Sequence, residues 1–121
     1  MGDISTHFSR WEFSCKCGCD FNTVDHELIV VLEELRTYFD RAITINSGNR
    51  CVSHNKKVGG SRYSQHLVCK ASDVVVENVG ADAVADYLEE RFSTKYGIGR
   101  YDGRTHIDVR SNKARWDKRS E

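Results

Sequence analysis

Two histidines and one aspartate have the residue types and spacing of a metal site. The segment SQHLVCKASDVVV, residues 64–76, places His66 seven residues before Asp73, which opens a run of β-branched residues. A carboxylate in a buried strand is costly unless it is paired or binds a metal ion, so Asp73 needs a partner. A second histidine, His106, lies in THIDVR, where the alternation of a strand would place it on the same face as Asp108.

His66, Asp73 and His106 together make the ligand set of a catalytic zinc ion, whose fourth position is open to water. The spacing alone also allows another interpretation, in which Asp73 caps a turn or pairs with an arginine and no metal is bound. Both interpretations remain open at the level of spacing.

The cysteines suggest a second candidate metal site. Cys15, Cys17 and Cys19 alternate in CKCGC, and Cys51 and Cys69 follow. An odd number of cysteines without a signal peptide argues against a secreted disulfide framework. Cys51 could complete a four-thiol site, although structural zinc sites usually separate paired cysteines by about two to four residues. Reduced thiols and one local disulfide are the alternatives, and we expect Cys69 to pack as a small apolar residue.

The hydrophobic pattern predicts the elements that would position these residues. Apolar residues recur at helical spacing over residues 24–40 and again over residues 81–92. A short helix is predicted over residues 52–58, before two glycines. Strands are predicted at residues 42–46, 71–76, 96–101 and 105–109, of which the last two form a hairpin around an Asp-Gly turn. The pattern indicates an α+β fold.

Length, composition and charge restrict the domain number and the partners. The chain has 121 residues, of which 39% are hydrophobic and 30% charged, which indicates one domain over residues 1–121 with a polar tail at 111–121. Lysines and arginines number 18, as do aspartates and glutamates, so the overall positive charge of a nucleic-acid-binding protein is missing. No apolar run reaches the roughly 18 residues of a membrane helix. The N-terminal residues lack a signal-peptide core, so we expect cytoplasmic synthesis and no membrane insertion. We also expect a monomer.

The motifs resemble those of a known peptidase family. SQHLVCKASD resembles the S-x-H-x-x-G-x-A-x-D signature of zinc murein peptidases, which include D-Ala-D-Ala carboxypeptidases and phage L-alanyl-D-glutamate endopeptidases. Cys69 stands at the glycine of that signature. THIDVR is similar to the closing histidine motif of the family, and SGNRC, residues 47–51, is similar to its S-G-x-R segment. The resemblance extends from about Phe8 to Arg110.

The resemblance implies a small antiparallel sheet flanked by helices, similar to the zinc-binding fold shared with hedgehog signalling domains. It implies one zinc ion per chain, held by His66, Asp73 and His106. Zinc lowers the pKa of its bound water to about 7 and polarises a scissile carbonyl. The implied activity is peptide-bond hydrolysis in the stem peptides of bacterial cell-wall peptidoglycan, after release from the cytoplasm or as part of a phage particle. Both the carboxypeptidase and the L-alanyl-D-glutamate endopeptidase type fit, and so does a phage endolysin or virion lysin.

The catalytic carboxylate is the point at which the sequence departs from the family. The phage endopeptidases carry it three residues before the last histidine, where this chain has Gly103. Asp102 and Asp108 are the two replacements, and Asp102 is preferred. The alternatives are that Asp102 is an ordinary turn residue and that Asp108 supports a ligand histidine from behind.

The remaining candidate residues would contact the substrate. Arg50 follows a Ser-Gly turn, where its guanidinium could bind a substrate carboxylate or stabilise the oxyanion. Ser64 and Gln65 are expected to line the same cleft. A second function stays open: a non-catalytic zinc-binding module that recognises a peptide or partner, since a fold does not determine a function.

Overall fold

A computed structural model describes residues 2–19 and 21–119 of the chain, and it confirms the α+β class. Short 3₁₀ helices lie at Arg10–Phe13 and Gln65–Val68. The α-helices in these ranges are α1 (His26–Phe39), α2 (Val52–Lys57) and α3 (Ala81–Arg91). The strands are β1 (Ile43–Ser47), β2 (Ala71–Val76), β3 (Gly97–Tyr101), β4 (Arg104–Asp108) and β5 (Ala114–Asp117).

The strands form one sheet in the order β1-β2-β4-β3-β5. The contacts β1–β2, β2–β4 and β3–β4 are antiparallel, and β3 and β4 form the predicted hairpin around Asp102 and Gly103. Gly103 has a φ of +74°, a conformation that glycine adopts without steric cost.

Strand β5 lies within the polar tail of residues 111–121, where the sequence predicts no strand. It pairs parallel to β3 at the edge of the sheet, and its four residues include a single large apolar side chain, Trp116. So short a segment shows almost no alternation of apolar and polar residues, which is why the hydrophobic pattern missed it. The last two residues of the predicted tail lie outside the described part of the chain.

Helices α1 and α3 supply the apolar side chains that pack on the sheet. Asp25 caps α1 by accepting a hydrogen bond from the backbone N–H of Glu27 at 2.8 Å. The buried cluster combines α1 and α3 with the central strands through Leu28, Leu32, Leu35, Val84, Leu88, Val74, Ile98 and Ile107. No helix among the described residues is long and apolar enough to cross a membrane.

Leu32 and Val30 of α1 offer a matched test of this core. Leu32 is fully buried, whereas Val30 is half exposed on the same helix. Leu32→Ala should lower the free energy of unfolding by about 2–5 kcal/mol, because it leaves a cavity among packed side chains. Val30→Ala should change it by less than about 0.5 kcal/mol. Urea denaturation measures both, and equal effects would contradict the packing of α1 on the sheet.

Candidate metal centre

One row of directly paired residues crosses the sheet on the face opposite the core. Asp73 pairs with Ser47 of β1 and with His106 of β4. His106 pairs in turn with Gly99 of β3, and Gly99 pairs with Trp116 of β5. Because side chains alternate along a strand, Val74 and Ile107 point into the core while Asp73 and His106 point away from it.

Three predicted ligands meet on this face. The 3₁₀ helix Gln65–Val68 carries His66, and Nε2 of His66 lies 3.5 Å from Oδ1 of Asp73. Nδ1 of His106 lies 3.0 Å from the same oxygen. All three side chains are buried, and their ligand atoms lie within 4.8 Å of one another. Sequence spacing had suggested this group, and the structure brings the group together.

The donor set fits a metal ion. His66 Nε2 is buried and has no hydrogen-bond partner among the described residues. A buried polar atom without a partner is costly, and coordination of a cation removes that cost. Two imidazole nitrogens and one carboxylate oxygen are the ligands expected for zinc with an open position.

A backbone contact fixes the ring of His66. Its Nδ1 lies 2.5 Å from the carbonyl oxygen of Gly48, which can only accept a hydrogen bond. Nδ1 therefore carries the proton, and Nε2 presents a lone pair towards Asp73. The backbone N–H of Arg50 donates to the carbonyl oxygen of His66 at 3.0 Å, so the SGNRC segment and the 3₁₀ helix support each other.

Asp108 fixes the ring of His106 from the other side. Its Oδ2 lies 2.7 Å from His106 Nε2, and Arg110 donates to both carboxylate oxygens at 2.8 and 2.7 Å. Burial raises the pKa of Asp108, but the hydrogen bonds from His106 and Arg110 outweigh burial and hold the pKa below its usual range. Asp108 thus remains a carboxylate that accepts the Nε2 proton, which leaves His106 Nδ1 for a metal ion.

Arg50 approaches the same centre. Its Nη2 lies 3.5 Å from Oδ2 of Asp73, and its guanidinium also donates to Ser47 and Asn55. Gly60 makes room for this arrangement, since a Cβ there would overlap the Asn55 side chain and come within 2.8 Å of Arg50 Nη1. Arg50 is therefore held by neutral partners with its charge directed at the carboxylate.

The centre opens into a cavity of about 510 Å³. The predicted residues Arg50, Ser64 and Gln65 line it together with the three ligands. The charged residues in the rest of the described lining are all positive, namely Arg104, Arg110 and Lys118, and Tyr101 and Trp116 lie beside them.

Asp102 does not line the cavity directly. It is exposed in the β3–β4 turn, between Tyr101 and Arg104, which both do. Among the described residues that line the cavity, Asp73 is the only one with a carboxylate. The two candidates for the base therefore differ: Asp108 is buried behind His106, and Asp102 is exposed in the turn between two lining residues.

Trp116 is the site residue that sequence reasoning missed. Its ring centroid lies 4.9 Å from that of His106, and its indole N–H donates to the Tyr101 hydroxyl at 2.9 Å. A Cβ at Gly99 would overlap the indole, so a glycine on β3 lets Trp116 cover the site. The signal was a single tryptophan in an otherwise polar segment.

The structure explains why the family signature has a glycine where this chain has Cys69. Cys69 ends the 3₁₀ helix in the left-handed conformation, with a φ of +66°. Glycine adopts this conformation most readily, which accounts for the glycine that the family signature has there. Cys69 is half-buried, and its thiol belongs to neither of the two groups of candidate metal ligands.

The pKa of His106 gives a pH dependence that can be tested. Burial lowers this pKa, but the hydrogen bonds with Asp108 and Asp73 outweigh burial and raise it above the ordinary value. In the metal-free protein His106 therefore stays protonated to a higher pH than an ordinary histidine, and a metal ion at Nδ1 must displace that proton. Zinc affinity should fall about tenfold for each pH unit below the raised pKa and level off above it.

Chelator competition at a series of pH values measures the zinc affinity. The binding that is present in the wild type and absent in His66→Ala belongs to this centre. Asp108→Asn removes a hydrogen-bond partner that raises the pKa of His106. The inflection in the pH dependence of zinc affinity should therefore move to lower pH in this variant. An affinity that does not change with pH would contradict this account of His106.

Comparison with known proteins identifies the family. A family model described as Peptidase M15 matches residues 6–108, which include His66, Asp73 and His106. No curated protein matches the chain. The match begins before the first 3₁₀ helix and ends with β4, so Trp116 lies outside it. The chain therefore belongs to the peptidase M15 family, a family of zinc-dependent metallopeptidases.

Proposed function

We propose that the chain is a zinc metallopeptidase that hydrolyses peptide bonds in the stem peptides of bacterial peptidoglycan, acting as a monomer with one zinc ion at this centre. The observation that carries the proposal is the convergence of His66 Nε2, Asp73 Oδ1 and His106 Nδ1 beside an open cavity. Zinc bound there would polarise the scissile carbonyl and supply a nucleophilic water near neutral pH.

The cavity suits a peptide that carries free carboxylates. Arg104 lies at 41% side-chain exposure beside the centre, with its guanidinium over the ring of Tyr101 at 4.3 Å. Lys118 is exposed on the same lining. Peptidoglycan stem peptides contain such carboxylates, and guanidinium groups bind carboxylates with two parallel hydrogen bonds.

Arg50 is proposed to bind the substrate or to stabilise the oxyanion. Its three partners hold the guanidinium at the edge of the centre before the substrate arrives. A preorganised positive charge next to the reacting carbonyl stabilises the charge that develops there. Ser64 and Gln65 are proposed as neighbouring contacts of the substrate.

The two aspartates are proposed to have separate roles. Asp108 acts as a positioning residue, because both its oxygens are occupied by His106 and Arg110. Asp102 is proposed to accept and return the proton, because it follows Tyr101 and precedes Arg104 at the rim of the cavity. A proton acceptor at the rim requires only a local shift of the β3–β4 turn.

The type of bond and the route to the wall form the finer part of the proposal. The cleavage is that of a D-Ala-D-Ala carboxypeptidase or an L-alanyl-D-glutamate endopeptidase, and delivery as a phage endolysin or virion lysin fits a wall substrate. Released D-alanine would identify the first type, and a new amino group on D-glutamate the second.

One observation favours the alternative, a non-catalytic zinc-binding module that recognises a peptide. Within the described part of the chain, Asp73 is the only carboxylate that lines the cavity, and it is already a proposed ligand. A module of this kind would bind stem peptides without turnover.

Hydrolysis of purified peptidoglycan tests the main proposal. The wild type should release amino groups in the presence of zinc and lose this activity with a chelator. His66→Ala should lose both the zinc ion of this centre and the activity, because it removes one of three protein ligands. Arg62→Ala, an exposed arginine outside the cavity lining, is the control and should retain both. Zinc binding and peptide binding without cleavage would establish the alternative.

Variants of the two aspartates test their roles. Asp102→Asn should keep its zinc and lose kcat by about 10²–10⁴-fold, the contribution of a general base. Asp108→Asn should weaken zinc binding by about 10–100-fold, because His106 loses its orienting partner. Zinc content and kcat are measured for both. Full activity and full zinc in both variants would remove both assignments, and lost kcat with normal zinc affinity in Asp108→Asn alone would make Asp108 the base.

A further inference from the structure

Four of the five cysteines converge at a second place, away from the lining of the cavity. Cys15, Cys17 and Cys19 come from the loop after the first 3₁₀ helix, and Cys51 is the residue before α2. Their sulfur atoms all lie within 4.8 Å of one another. Residues 36 positions apart in the chain thus present thiols to a common point.

The sulfur distances match a tetrahedral metal site better than a disulfide. Cys15 Sγ lies 3.4 Å from Cys17 Sγ and 3.8 Å from Cys51 Sγ, and the last two sulfurs are 3.6 Å apart. A zinc–sulfur bond of about 2.3 Å gives a tetrahedron whose edges are about 3.8 Å. A disulfide bond is only about 2.05 Å long. All four cysteines are free.

A turn overcomes the unusual C-x-C-x-C spacing. In an extended strand, alternate cysteines would point along one face at separations too wide for one ion. Here the N–H of Gly18 donates to the carbonyl oxygen of Cys15 at 3.2 Å, and Gly18 has a φ of +85°. The chain therefore folds back within CKCGC, which brings neighbouring thiols to one side.

Backbone N–H groups point at two of the sulfurs. The N–H of Cys51 lies 3.4 Å from Cys15 Sγ, and the N–H of His54 lies 3.4 Å from Cys51 Sγ. Such donors stabilise negative charge on sulfur, and the thiolate is the form that binds a metal.

We propose that Cys15, Cys17, Cys19 and Cys51 bind a second zinc ion, separate from the ion at the His66–Asp73–His106 centre. Four thiolates complete a tetrahedron and leave no position for water or substrate, so this ion is structural. The proposal does not depend on the peptidase activity.

The second ion would join the N-terminal loop to the segment that carries Arg50. The N–H of Asn49 donates to the carbonyl oxygen of Phe13 at 2.9 Å, so the SGNRC segment already lies against the N-terminal loop. Cys51 directly follows Arg50 in that segment. A metal cross-link at Cys51 fixes the loop that carries Arg50 and contributes to folding, because the unfolded chain lacks a preformed site.

Metal analysis of the full chain, purified under reducing conditions, provides the test. The wild type should contain about two zinc ions per chain, one for each complete ligand set. Cys17→Ser and Cys51→Ser should each lose one ion and keep the other, and so should His66→Ala. Cys69→Ser is the matched control, because it removes a thiol outside the cluster, and it should keep both ions.

Cobalt substitution assigns the ion to the cysteines. Cobalt bound to thiolates gives an intense charge-transfer absorption that imidazole and carboxylate ligands do not give. The absorption should be present in the wild type and in His66→Ala, and absent in Cys17→Ser. Its presence in His66→Ala without peptidase activity separates this site from the catalytic one.

Thiol reactivity covers the case in which a cysteine variant fails to fold. In the folded wild type, zinc should protect the four clustered thiols from alkylation and leave Cys69 unprotected, and a chelator should abolish the protection. The proposal would be overturned by one zinc ion per chain, no thiolate absorption with cobalt, and a reactivity of the clustered thiols that is the same with and without zinc. A disulfide within the cluster in reductant-treated protein would also overturn it.

Discussion

The charge of Asp73 is the constraint on which the site depends. This carboxylate is buried in a central strand, where an isolated charge would be very costly. Burial raises its pKa, but the hydrogen bond with His106 outweighs burial and holds the pKa well below its usual range. The positive guanidinium of Arg50 lies beside Oδ2, the second oxygen of Asp73. The histidines, Arg50 and a metal ion thus all stabilise the negative charge of Asp73, so removing one affects the others.

Strand pairing in the sheet sets the distances between the ligands around Asp73. Direct pairing of Asp73 with His106 fixes the distance between two ligands, whereas His66 reaches them from a 3₁₀ helix tied to the SGNRC segment. Glycine at position 97 leaves space for the Asp108 carboxylate, which a Cβ there would overlap. The precision of the centre therefore comes from backbone pairing and from the groups behind the ligands, which is how metal sites are generally oriented.

The sequence predicted whatever depends on residue type and local period. Helix α1, the strands from β1 to β4 and the grouping of His66, Asp73 and His106 follow from alternation, helical spacing and ligand chemistry. The contact of Asp108 with His106 Nε2 could not be predicted, because alternation places both side chains on one face but does not specify the orientation of the ring. Trp116 required knowledge of a parallel pairing between β3 and β5, and nothing in a four-residue strand specifies its partner.

Neutrality of the whole chain conceals a strongly asymmetric distribution of charge. Basic and acidic residues are equal in number, 18 of each, yet the cavity lining carries Arg50, Arg104, Arg110 and Lys118 against the single carboxylate of Asp73. Low-dielectric walls concentrate such a field, so the cavity attracts small anionic ligands although the surface as a whole does not. Net charge therefore argues against binding to an extended polyanion, such as nucleic acid, but not against a short peptide with carboxylates. Arg50 and Arg110 are each bound to a buried aspartate, which keeps these two positive groups in place. Arg104, whose Nε lies 3.9 Å from Oδ2 of Asp73, and Lys118 are more exposed to the ligand.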